Sequence, residues 1–128
     1  MASFIERHVG KELDPHYLGF FDCFNEGRFY EAHEVLETLW LGERQGPNAS
    51  FYKGLIQLAG AFVHLQKSRA QPAASLLRLA RTNLERYPEV HQRLDVGLVL
   101  RSIDECLRQL MANPEAAIKS LRIRLELR

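Results

Sequence analysis

The sequence predicts an all-α fold, a compact bundle of about five helices followed by an extended C-terminal tail. Three observations carry this. Apolar residues recur at helical spacing along the body of the chain. Pro, Gly and Asn fall between those stretches, where helices start and stop. Only the last residues depart from that spacing. A chain of 128 residues fits one domain. The expectation is a single domain over residues 1–128, with a helical body over about 14–112 and an arm over about 113–128.

Asp14-Pro15 starts helix 1, Asp capping free N–H groups and Pro suiting the first turn. Tyr17, Phe20, Phe21 and Phe24 then form one apolar face. Gly27 can take the left-handed conformation that ends a helix, which places helix 1 at about 14–26. Helix 2 spans about 28–41, with Phe29, Ala32, Leu36 and Leu39 inward. Gly42 and Gly46-Pro47-Asn48 break it. Helix 3, about 50–68, is apolar around most of its circumference and suits a central position. Pro72 opens helix 4, whose stripe is Ala73, Leu76, Leu77, Ala80, Leu84 and Tyr87, and Pro88 stops it. Asp95 caps helix 5, where Val99, Ile103, Cys106, Leu107 and Leu110 align. Asn113-Pro114 ends or interrupts that helix. In the tail, Leu121, Ile123, Leu125 and Leu127 alternate with charged residues, a strand signal. With no ladder partner in view, this reads as an extended arm lying on the body or on a second copy, and predicts a homodimer to which the tail contributes.

Net charge is +1, so bulk charge calls for no polyanionic partner. Residues 1–64 carry 5 Lys/Arg and 9 Asp/Glu, and residues 65–128 carry 12 and 7. That asymmetry predicts two complementary halves packed together, or else a basic face. The arginines of helices 4 and 5 are interleaved with acids, and no nucleic-acid motif is present. Cys23 and Cys106 sit among apolar neighbours and read as buried free thiols. Residues 1–10 lack the apolar core of a signal peptide, and no stretch approaches a membrane span. A cytoplasmic protein with no membrane partner is expected.

The densest polar cluster is Glu31-Ala32-His33-Glu34-Val35-Leu36-Glu37 on helix 2. His33 falls at the border of the core face. Glu37, one turn on, can orient its ring and raise its basicity, which a general base or a metal ligand needs. Glu34 points away. The run departs from the zinc pattern H-E-x-x-H, because Glu37 stands where the second histidine would be and half of the metal grip is lost. Helix 3 has a narrow polar stripe of Lys53, Gln57, Gly60 and His64. If helices 2 and 3 run antiparallel, Glu37 comes level with Lys53 and His33 with Gln57, and His64 lies ~10 Å further along. The candidate ligand-binding residues are therefore His33, Glu37, Gln57, His64 and Lys53, lining a groove in which Gly60 leaves a gap. No cofactor is expected. If a divalent transition metal binds, His33, Glu37 and His64 are its ligands. A purely structural alternative stands beside these: Glu37–Lys53 an ion pair, His33 bonded to Glu37 or Gln57, His64 in solvent. Trp40, Gly27 and Gly54 read as structural, with Trp40 in the core and sealing one end of the groove.

The run Phe24-Asn25-Glu26-Gly27-Arg28-Phe29-Tyr30-Glu31-Ala32-His33-Glu34-Val35-Leu36-Glu37-Thr38-Leu39-Trp40, followed by Phe51-Tyr52-Lys53-Gly54-Leu55-Ile56-Gln57-Leu58-Ala59, resembles the domain of unknown function family 309. The resemblance implies a small all-helical protein and extends the likeness over helices 1 to 5. His64 fits the histidine that usually follows on helix 3, and Leu94-Asp95-Val96 the stretch before the last helix. Ser68-Arg69-Ala70-Gln71-Pro72 stands where that family usually has a Gly-Asn turn. A fainter likeness links Gly27, Tyr30 and Ala32 to the first helix of tetratricopeptide repeats, without the ~34-residue period that an array needs. The family brings no activity with it. The leading expectation is a non-catalytic binding module that holds a small polar ligand or a partner protein segment. The alternatives are a metal-dependent, hydrolase-like enzyme using His33, Glu37 and His64, and a structural subunit of a larger complex.

Overall fold

The computed structural model describes residues 13–128. The reading of residues 1–10 lies outside the described residues. The chain is an all-α bundle with one very small hairpin. Its helices are α1 (Pro15–Asn25), α2 (Phe29–Leu41), α3 (Ala49–Gln66), α4 (Ala70–Leu84), α5 (Val96–Ala112) and α6 (Pro114–Ser120). Between α4 and α5, β1 (Val90–His91) pairs antiparallel with β2 (Leu94–Asp95).

Capping explains most of the boundaries. The Asp14 carboxylate accepts from the His16 N–H at 2.8 Å, and Asp95 accepts from the Leu98 N–H at 2.9 Å. Gly27 has φ +77°, with Gly27 N–H on Phe24 O and Arg28 N–H on Cys23 O. This is the paired closure that a left-handed residue gives a helix end. Ser68 repeats the geometry at the end of α3, with φ +58° and Arg69 N–H on His64 O at 2.9 Å. A serine thus closes this helix in the left-handed conformation. Helix α4 begins at Ala70 rather than Pro72, and Pro72 sits within the first turn, where its missing N–H has no intrahelical role.

Helix α3 is central. It packs on α2 on one side and α4 on the other, and α4 packs on α5. Fully buried Tyr17, Phe20, Phe24, Phe51, Leu36, Leu55 and Leu58 form the inner layer. Gly54 lets α3 and α4 approach, since a Cβ there would lie 2.8 Å from Leu84 Cγ and 3.2 Å from the Ala80 carbonyl. Cys23 and Cys106 are buried free thiols, as expected, and burial pushes both up to about 11.

Three features differ from the sequence reading. First, residues 114–120 are not extended. Asn113 caps a sixth helix through its side chain, which accepts from Ala116 N–H at 3.2 Å, and Pro114 occupies its first turn. Only residues 121–128 run extended.

Second, that arm does have a ladder partner. Leu127 bridges Leu94 of β2, and Arg128 N–H donates to Arg93 O at 2.7 Å. The partner was invisible because the turn of the hairpin, Gln92-Arg93, has positive φ at both positions (45° and 63°) without Gly or Asn. Tertiary bonds hold it there. The Tyr17 hydroxyl donates to Gln92 O at 3.0 Å, and Gln92 Nε2 donates to the Tyr52 hydroxyl at 3.0 Å. The period-two pattern itself is realised. Leu121 and Leu125 are buried, while Ile123 and Leu127 pack against the core. The arm's apolar side thus packs on the body of its own chain, one of the two placements expected for it.

Third, among the described residues no ion pair joins the acidic half to the basic half. Each pair among the described residues lies within one half, for example Arg28–Glu31, Arg81–Asp104 and Arg128–Asp95. Neutral hydrogen bonds cross between the halves instead, such as Asn83 to Gln57. No helix of the described residues is long and apolar enough to cross a membrane.

Candidate functional site

The polar stripe of α3 faces outward between α2 and α4. A pocket of about 330 Å³ opens there. Helix α2 contributes Tyr30 and His33; α3 contributes Lys53, Ile56, Gln57, Gly60, Val63 and His64; α4 contributes Leu76. Four of the five residues expected to bind ligand therefore share one cavity. The antiparallel α2–α3 pairing inferred from their short connection is what brings them together.

Glu37 is the exception. It stands outside the pocket lining and touches the site through His33, whose Nε2 is 3.5 Å from a Glu37 carboxylate oxygen. The expected Glu37–Lys53 ion pair is not among the ion pairs of the described residues. Lys53 instead sets its ammonium over the Trp40 ring, 4.3 Å from the centroid. Arg44 approaches the same ring at 5.9 Å. Trp40 is only partly buried against the core and does not line the pocket, so it is a platform for these two cations rather than the core residue sealing the groove that the sequence suggested.

Gln57 is tied sideways. Asn83 Nδ2 on α4 donates to Gln57 Oε1 at 2.7 Å. Tyr30 is 62 % exposed and stacks on His33, with centroids 6.1 Å apart and planes at 22°. The gap foreseen at Gly60 is partly filled by Leu76, whose Cδ1 would lie 3.2 Å from a Cβ on Gly60.

Two atoms stand out. His33 Nδ1 and His64 Nδ1 are shut away from water and have no hydrogen-bond partner among the described residues. A buried polar atom left unmatched costs about 1–3 kcal/mol. Two such atoms on residues of one small pocket form a concentration that packing alone does not require. Among the described residues, no three His, Cys, Asp or Glu side chains form a metal-ligating group. His33, Glu37 and His64 therefore do not converge as a ligand set in this arrangement.

Sequence reasoning missed Tyr30, Ile56, Val63, Leu76 and Asn83. Tyr30 was within reach of inference, being one turn before His33 on the same face. Leu76 and Asn83 were not, because the packing of α4 on α3 decides them.

Residues 17–76 match the family described as Domain of unknown function (DUF309). The resemblance read from the motifs holds over that segment. The matched segment ends within α4. The DUF309 segment contains every residue that lines the pocket and ends on the last of them, Leu76. An uncharacterized protein of Aquifex aeolicus (strain VF5) is 27 % identical over 85 residues, covering 66 % of this chain and 26 % of that protein. The chain thus spans about a quarter of the length of that relative. No solved structure matches the chain.

Proposed function

We propose that this chain is a non-catalytic binding module whose α2–α3 pocket holds a small polar ligand or a short partner segment. The observation that carries this is the convergence of four polar side chains, His33, Lys53, Gln57 and His64, on one pocket with apolar walls. A volume near 330 Å³ lies at the small end of the range for ligand pockets, about 300–1,000 Å³. The lining mixes apolar walls with a few convergent polar groups, as ligand sites do. Among the described residues, neither the Tyr30 hydroxyl nor the Lys53 amine is hydrogen-bonded to His33 or His64 in the lining, so binding accounts for more of the geometry than catalysis does.

The test is a thermal-shift screen against a metabolite collection, run on the wild type and on His33→Ala and His64→Ala. A ligand that raises the Tm of the wild type should raise those of the variants by less. Equal protection in all three proteins would overturn the proposal.

A further inference from the structure

The unspent hydrogen-bonding groups of this pocket are nearly all donors. Gln57 Oε1 is already taken by Asn83, which leaves the two N–H groups of Nε2 for a ligand. Lys53 offers three N–H donors and no acceptor. His64 Nδ1 is sealed off without an acceptor, so the ring proton belongs on Nε2, a second donor position. His33 Nδ1 is sealed in the same way, and its Nε2 faces Glu37. Glu37 therefore spends its charge on His33 and does not line the cavity, and Glu34 is exposed on the outer side of α2. Among the described residues, the one other side-chain oxygen of the lining is the hydroxyl of the exposed Tyr30.

The donors follow one line on α3. Lys53 and Gln57 are a single turn apart, ~6 Å, and His64 lies ~10 Å beyond Gln57. Between them the floor is Gly60 and the walls are the apolar side chains Ile56, Val63 and Leu76. Resting on the binding reading above, we infer that the pocket takes a small organic anion: a monocarboxylate with an apolar body. Its carboxylate lies between Lys53 and Gln57, and its body covers Gly60 and points towards His64. Lys53 reaches the carboxylate by leaving the Trp40 ring.

The probes are hexanoate, octanoate and benzoate, with hexylamine and hexanol as partners of matched body and different head. Binding is read from the ring signals of His33 and His64 in nuclear magnetic resonance, and from affinity in Lys53→Met, Lys53→Gln and Gln57→Glu. The glutamate retains an oxygen for Asn83 while replacing the free donors with a negative charge. The carboxylates should shift both histidine rings, and each variant should weaken them about tenfold or more, with hexylamine and hexanol inert. If hexylamine or hexanol shifts the rings as strongly as the carboxylates, the anion assignment fails while the pocket reading stands. Carboxylate affinity unchanged in all three variants would also overturn the assignment. Failure of every probe, whatever its charge, to move either ring would overturn the pocket reading and the inference together.

Discussion

Asn25 grips Leu125 through both groups of its backbone: Asn25 Nδ2 donates to Leu125 O at 2.7 Å, and Leu125 N–H donates to Asn25 Oδ1 at 2.8 Å. The amide thus acts as a short piece of strand, supplying the ladder that the extended arm lacks on that side. It also joins the end of α1 to a residue one hundred positions away.

Asn25→Ala should release the arm. It strands two part-buried backbone groups, at about 1–3 kcal/mol, and loosens Leu121 and Leu125, each worth roughly 1.5–3 kcal/mol when fully buried. Trypsin should cut faster after Arg122 and Arg124 in the variant. An unchanged rate would show that α6 and the Leu94 bridge suffice to hold the arm.

Gly54→Ala should be among the most damaging small substitutions. The added methyl would meet Leu84 Cγ at 2.8 Å and the Ala80 carbonyl at 3.2 Å, both on α4. Leu84 is fully buried and has little room to retreat. Overpacking of this kind costs about 1–3 kcal/mol, to be read from the urea midpoint. Gain of the usual helical advantage of Ala over Gly, roughly 0.5–1 kcal/mol, would mean that the α3–α4 spacing is softer than it looks.

Trp40 is the only tryptophan of the chain, so intrinsic fluorescence reports on the Lys53 contact directly. Lys53→Met should shift or brighten its emission without unfolding the protein. Trp40→Ala should cost roughly 0.5–3 kcal/mol, less than the ~3–5 kcal/mol of a fully buried aromatic. The cation contact supplies about 0.5–1 kcal/mol of that. A loss at the upper end of the buried range would place the indole in the core after all.

His91 predicts a pH dependence. Burial holds its imidazole below the ordinary value, while the ring bonds Asn48 Oδ1 at 2.7 Å and packs on Phe51 and Tyr87. The native state then binds fewer protons than the unfolded one between that lowered value and about 6.5. Stability linked to His91 is therefore present above this window and is lost as pH falls through it. Urea midpoints from pH 7 to 5 should fall more steeply for the wild type than for His91→Gln. Parallel profiles would remove His91 as the source.

By itself, the sequence determined the first five helices and the polar stripe of the candidate site. Capping residues and apolar spacing are local signals, and Asp14, Gly27 and Asp95 act where they were read. The polar stripe of α3 was legible for the same reason: Lys53, Gln57 and His64 share one face by helical geometry alone, and a short connection to α2 brings His33 beside them. Tertiary structure alone decided the rest. The Gln92-Arg93 turn is unfavourable locally and exists because Tyr17 and Tyr52 bind it. The arm found its ladder only once that hairpin was in place, and Lys53 chose the Trp40 ring over Glu37 once the side chains were packed. Leu76 and Asn83 enter the site from α4, whose rotation on α3 is fixed by the closeness of Gly54 to Leu84. Contacts between elements distant in the chain leave no periodic trace in sequence, since nothing in local spacing encodes which helix faces another or at what depth.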